Sequence, residues 1–292
     1  MYAVSAQVND VELVRVPLLP APGFQADVDA VTAALSSPDR GRPIKLVYLC
    51  SPGNPTGSLL SKASVARILA HPTWNGIVVL DEAYVDFAND TASLAELVTE
   101  HPNLVVLQTL SKAFGMAGIR LGAAFASPPV ASLLNAAKAP YNVSSPTSSL
   151  ARHALDPRAA GGGLAVMRRN VAGIAAQRGR LLAELPKVPG VGRLRGGTES
   201  NFLLYEMLDA GGRPDNVTAL AVYERLAEEK GVVVRFRGRE HGCEGCLRIT
   251  VGTEEEVGRF LEALGRTLGE VRGAAARGDE DKREEEASGV VA

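Results

Sequence analysis

Leu104–Gly122 reads LVVLQTLSKAFGMAGIRLG, and the fold class turns on its two apolar runs and what separates them. Leu104, Val105, Val106 and Leu107 have the length and branching of a buried strand. The run gives way to Thr109-Leu110-Ser111-Lys112, then to a small-residue segment with Gly115 and Gly118, then to Arg120 and a second apolar run, Leu121–Ala126. A hydroxyl, an amine and a guanidinium are thus delivered just beyond a strand. In open α/β sheets, ligands sit in the crevice outside the carboxyl ends of the strands. A lone Ser-Lys pair there is more often a solvated lysine than a site, so the rest of the chain decides.

Upstream, the pattern repeats. Lys45–Cys50 is an apolar strand ending at Ser51-Pro52-Gly53-Asn54-Pro55-Thr56-Gly57, and Gly76–Leu80 is another, ending at Asp81-Glu82-Ala83-Tyr84. Between them Ser61–Leu69 reads as a helix capped by Ser61, and Ala92–Thr99 is helical before the Leu104 strand. Val11–Leu19 reads as a strand, Asp27–Leu35 has helical spacing, and Asp39–Pro43 is a polar turn. Strands alternating with helices imply βαβ units and a mostly parallel sheet, an α/β fold. Right-handed crossovers put the three strand ends on one edge. Each polar group alone is ordinary turn or cap chemistry; three in phase are informative.

Downstream, a helix around Val130–Ala137 precedes Pro140–Pro146, which breaks the pattern. Gly161-Gly162-Gly163 is a flexible break before a long amphipathic helix, Leu164–Leu185. That helix is the passage into a second, α+β domain: strand Asn201–Glu206, helix Val217–Glu229, strands Gly231–Phe236 and Cys246–Val251, and helix Glu254–Leu268. The expected division is a large domain over 1–163, a small one over 164–273, and a charged, disordered tail over 274–292.

The 292 residues carry a net charge of −2 and are 46% hydrophobic, which suits a soluble globular chain and gives no field for nucleic acid or membrane. No apolar run approaches the ~20 residues that cross a bilayer. The first residues lack the basic and apolar regions of a signal peptide. Cys50, Cys243 and Cys246 make no disulfide framework, so a reducing, cytoplasmic setting is expected. His241, Cys243 and Cys246 invite a zinc reading, but a tetrahedral site wants four ligands, and the other histidines have no paired spacing. No metal is expected.

The strand-end groups match what pyridoxal phosphate needs. Lys112 suits the Schiff base that holds the aldehyde, and then proton transfer at the substrate carbon. Asp81 suits the pyridine nitrogen, which it keeps protonated. Tyr84 and Asn54 can donate hydrogen bonds to the ring oxygen, and Ser111 and Arg120 can grip the phosphate.

SPGNPTG, VVLDEAYVDFA and TLSKAFGMAGIRLG, in that order, resemble the fold-type I pyridoxal-phosphate aminotransferases. Lys138–Ser148 (KAPYNVSSPTS) and Gly245–Thr253 (GCLRITVGT) resemble the histidinol-phosphate aminotransferases, of a fungal type, and the likeness runs from Tyr2 to about Leu268. The resemblance implies transamination between L-histidinol phosphate and 2-oxoglutarate, in histidine biosynthesis, by a homodimer. Unaided, Arg248 in the strand CLRITV is as readily a solvated charge as a ligand. The resemblance makes it, with Arg235 thirteen residues earlier (248 − 235), the arginine pair for the substrate's anionic group.

The resemblance also implies that family members carry a long segment ahead of Met1, with part of the phosphate cup and a ring-stacking aromatic residue. The chain is therefore expected to be N-terminally truncated, a fragment or an incomplete gene product. Hydrogen bonds to a charged group are worth ~1.5–3 kcal/mol each, so losing about three weakens cofactor binding by ~4–9 kcal/mol. A weakly active or unstable polypeptide is expected. The alternatives are another fold-type I enzyme, an aromatic aminotransferase or a phosphate-amino-acid decarboxylase, and a non-catalytic fragment.

Overall fold

The computed structural model describes residues 2–21, 23–37, 42–158 and 163–289, with side chains as far as Ala274. Two four-stranded sheets organise them. The first is built from β1 (Leu46–Cys50), β2 (Ile77–Asp81), β3 (Leu104–Thr109) and β4 (Gly122–Ala126), side by side in that order. β1, β2 and β3 are parallel, and β4 is antiparallel to β3. The register sets Cys50 opposite Asp81 and Asp81 opposite Leu107, so the strands end nearly level.

Period-two alternation gives this sheet one closed face. Leu49, Val78, Leu80, Leu104 and Val106 pack with Val28 and Val31 of helix α2 (Val28–Ser36) and with Val65 and Ile68 of α3 (Lys62–Leu69). Both helices start where their caps predict. Asp27 accepts from the Ala30 N–H at 2.9 Å, and Ser61 from the Ser64 N–H at 3.3 Å. The segment expected to be helical over Ala92–Thr99 is a 3-10 turn at Ala95–Thr99. The buried Glu82 holds its approach, accepting from the Leu94 N–H and the Ser93 hydroxyl, both at 2.6 Å.

The second sheet has the order β5-β6-β8-β7 and is antiparallel throughout: β5 (Val191–Arg195), β6 (Phe202–Met207), β7 (Arg235–Phe236) and β8 (Cys246–Thr250). One face, with Leu203, Tyr205, Met207, Leu247 and Ile249, packs on helices α6 (Gly163–Glu184), α7 (Asn216–Glu228) and α8 (Glu254–Gly289). The other face carries Phe202, Leu204, Glu206, Cys246 and Arg248. Leu204, Cys246 and Cys243 close there on Phe24.

Several expectations need correction. Val11–Leu19 is not a strand: no neighbour supplies a ladder, and only Leu19 bridges, to Gln25. Gly231–Phe236 is a strand only at its last two residues, because only they pair with β8. Three elements escaped the sequence reading: α1 (Tyr2–Val8), a helix α5 at Ser145–Leu155 inside and beyond the Pro140–Pro146 break, and β5. α4 (Pro128–Ala137) stands where a helix was expected. The final helix takes in most of the stretch read as a disordered tail. Part of the Asp39–Pro43 turn, and Gly161 and Gly162 of the glycine break, lie outside the described residues.

Main-chain bonds lace the sheets together. The Gly197 N–H donates to Thr56 O at 3.0 Å and the Glu199 N–H to Gly57 O at 3.1 Å. Gly196 sits at φ +74° with its Cβ position only 2.1 Å from Thr56 O, so any side chain there would push the loops apart. Arg178 of α6 reaches across the seam as well. Its Nη1 donates to Phe87 O at 2.9 Å and Ser200 O at 2.7 Å.

Candidate active site

Asp81 closes β2, and both its oxygens are held: Oδ1 accepts from the Ala83 N–H at 2.9 Å, and Oδ2 accepts from the Tyr2 hydroxyl. Burial, and then the bond to Asp81, push the Tyr2 phenol well above its usual range, so it stays a donor. The Tyr2 ring rests on Tyr48, their centroids 4.5 Å apart. Nothing in the sequence pattern announces Tyr2. Its helix α1 buries no residue, so amphipathic spacing gives no signal.

Tyr84 comes at the turn after β2. Its ring meets Phe202 edge-to-face, with centroids 5.1 Å apart and planes at 84°. The Lys112 amine lies 5.2 Å from the Tyr84 centroid. On the other side, the Arg248 guanidinium lies 5.0 Å from the Phe202 centroid, and its Nη1 donates to Asn54 Oδ1 at 2.8 Å. Lys112, Tyr84, Phe202, Arg248 and Asn54 therefore form one contact chain across the seam. Asn54 and Arg248 are 194 residues apart in sequence. Phe202 was missed. Alternation in FLLYEM puts it on the face opposite Leu203, but only the meeting of the two sheets makes that face a site.

Arg235 faces Arg248 directly across the β7–β8 ladder. Arg248 is pulled below the usual arginine range by burial and then by the positive charge of Arg237 and Arg235, while the guanidinium remains a cation. Its buried Nε has no hydrogen-bond partner. A buried donor without a partner is expensive, so this one is suited to an arriving anion.

Ser111 and Arg120 stand at the same end of the first sheet, on either side of the Thr109–Gly122 pair. The Thr109 hydroxyl lies 2.9 Å from Ser111 Oγ and 3.4 Å from Leu121 O, so its single proton has two acceptors within reach. Arg120 is exposed, with φ +55°, and donates to Ala117 O at 2.8 Å. Among the described residues its guanidinium forms no ion pair and no hydrogen bond to Ser111. Cys243 and Cys246 are buried against Phe24 and Leu204, and burial pushes their thiols up to about 11 and about 12.

The sequence profile of the family Aminotransferase class I and II matches residues 1–264. The chain belongs to that family. It is 49% identical over 266 residues to a histidinol-phosphate aminotransferase of Schizosaccharomyces pombe, covering 90% of this chain and 67% of the relative. A Candida maltosa histidinol-phosphate aminotransferase is 46% identical over 273 residues, covering 93% and 68%. The chain thus spans about two thirds of the length of these relatives. Among solved structures, the histidinol-phosphate aminotransferase of Sinorhizobium meliloti in complex with pyridoxal-5'-phosphate superposes with a TM-score of 0.77 at 25% identity, covering 92% of this chain and 68% of that one. No helix among the described residues is long and apolar enough to cross a membrane.

Proposed function

We propose that the chain carries the pyridoxal-phosphate site of a transaminase that moves an amino group between L-histidinol phosphate and 2-oxoglutarate. The observation that carries this reading is the contact chain from the Lys112 amine through Tyr84 and Phe202 to Arg248 and Asn54. It sets an amine and an anion-binding guanidinium on either side of two aromatic rings. The relatives named histidinol-phosphate aminotransferase support the choice of substrate.

The donor set fits the cofactor. Asp81, braced by the Ala83 N–H and the Tyr2 hydroxyl, would hold the ring nitrogen. Ser111 and Arg120 would hold the phosphate, Tyr84 and Asn54 the ring oxygen, and Lys112 the aldehyde carbon. When bound, the group supplies an electron sink for the bond broken at the substrate carbon. Lys112 moves the proton at that carbon. Arg248 and Arg235 grip the far end of the substrate, its phosphate in one half-reaction and the glutamate carboxylate in the other. Tyr84 and Phe202 shield the space between from water. We assign Asp81 the task of holding a positive charge on the ring nitrogen.

We further propose the two-domain division at 163/164, a cytoplasmic setting and a homodimer. The free thiols Cys50, Cys243 and Cys246 support the reducing setting. Exposed apolar side chains at Phe125, Leu133 and Tyr141 support a covered face.

The test is borohydride reduction of the cofactor-loaded chain, followed by peptide mapping. The label is expected on Lys112 and absent in Lys112→Ala, with turnover of histidinol phosphate reduced by at least about 10²–10⁴-fold. A label elsewhere overturns the site. Turnover of an aromatic amino acid in preference to histidinol phosphate overturns the substrate.

A further inference from the structure

We infer that Arg237 is a third guanidinium of the substrate-anion site, occupied by Glu240 until a doubly charged phosphate arrives, and that this sets a preference for phosphate monoesters over carboxylates. The inference rests on the reading of Arg248 and Arg235 as the anion-binding pair.

The strand β7 is only Arg235–Phe236, but its ladder continues by one bond, from the Arg237 N–H to Cys246 O at 2.8 Å. Alternation therefore sends Phe236 into the core, against which it packs, and puts Arg235 and Arg237 on the opposite face with Arg248. Arg235 is directly opposite Arg248, and Arg237 is its diagonal neighbour, within reach of a long side chain. Among the described residues, the groups whose charge bears on Arg248 are Arg237, Tyr84, Arg235 and Glu240. With Arg248 itself that makes three cations and one carboxylate, a surplus of two positive charges. Farther along the same face, Glu206 is already taken by Arg193 at 3.1 Å and Arg195 at 3.4 Å.

A surplus of two matches a phosphate monoester, which carries close to two negative charges at neutral pH. A carboxylate carries one. Arg237 Nη1 donates to Glu240 Oε1 at 3.0 Å in a partly exposed pair, and such pairs are weak enough to be exchanged for a better anion. The Nε atoms of Arg237 and Arg248 are both buried without partners, so each retains a donor in search of an acceptor. The loop that carries Arg237 and Glu240 is anchored at both ends by Asn216. Its side chain donates to Gly238 O at 3.1 Å and accepts from the Gly245 N–H at 2.8 Å. The guanidinium is thereby held at a set position, and exchange of its partner needs only side-chain motion.

The test is calorimetric titration of the full chain with inorganic phosphate and, separately, with glutarate. Arg237→Gln is expected to weaken phosphate binding about tenfold and glutarate binding less than about twofold. Glu240→Gln, which frees Arg237, is expected to tighten phosphate binding, and Arg237→Lys to restore part of the loss. Phosphate binding to the unaltered chain tightens as the pH rises through the ligand's own second ionisation, close to neutrality, and Arg237→Gln flattens that rise. Equal weakening of both ligands by Arg237→Gln, or of neither, overturns the inference while Arg248→Gln still weakens both. If Arg248→Gln also changes neither, the anion-site reading itself falls.

Discussion

The two sheets differ in how completely they are covered, and the residues proposed to react stand at the end of the less complete one. In β6 of the second sheet all six residues are buried, and three helices close its far face. In β4 of the first sheet four of five residues are exposed, as are Leu46 and Tyr48 on β1. Asp81 ends β2 of this half-covered sheet, and Ser111, Lys112 and Arg120 lie in the connection between its β3 and β4. The second sheet contributes Phe202, Arg235 and Arg248, which in the proposed function grip and shield but do not react. The difference suggests a division of labour: the closed core lies under side chains proposed to position, and the groups proposed to react sit at loosely covered strand ends.

That contrast can be broken by mutation. The largest effect is expected from Leu203→Ala in the closed core, a loss of ~2–5 kcal/mol seen in urea denaturation. Next comes Arg178→Ala. It removes two bonds from a charged donor that join the sheets, and about 1–3 kcal/mol should be lost without any core being touched. If instead the denaturation midpoint is unchanged, the sheets are joined by the main-chain seam alone.

A smaller effect is expected at the start of α7. Burial alone would raise the Asp215 carboxyl, but its bonds from the Thr218 hydroxyl and N–H outweigh this and leave it below the usual aspartate range. A depressed carboxyl stabilises the fold above its unfolded pKa, near about 3.9, and that contribution fades as the pH falls through the lower folded value. Asp215→Ala should therefore lose about 1 kcal/mol at neutral pH and progressively less in acid. A difference that grew on acidification would reverse the sign assigned here. The smallest effect belongs to the open sheet, where Leu46→Ala should shift stability by less than about 0.5 kcal/mol. A large loss there would show that this face is covered in solution.

Legibility followed the same divide. The parallel strands and their polar ends could be read because each is a short apolar run followed by a turn, a local signal. Ser61 marked its helix through a cap, which is also a local signal. Val11–Leu19 had a strand's composition and no partner, and a ladder depends on the partner. β5 (VGRLR) lacked the composition and has one. At the site, Lys112, Asp81, Tyr84 and Asn54 stood out through position, yet Arg248 could be separated from an ordinary strand charge only by resemblance. Tyr2 and Phe202 could not be found at all, since their roles arise from contacts 79 residues away in one case and across the seam in the other.

The stitch between Thr56-Gly57 and Gly197-Glu199 has a consequence for which molecules fit. It is made of peptide groups, so exchanging the side chains that now flank it leaves its length alone, and only adding one at Gly196 would force it open. Asn54 and Arg248 are carried by the loops it joins, and Lys112 by the sheet that Asn54's loop leaves. The interval from amine to guanidinium is therefore a ruler cut into the backbone, and evolution at this address can alter what is gripped more easily than how far away it is gripped.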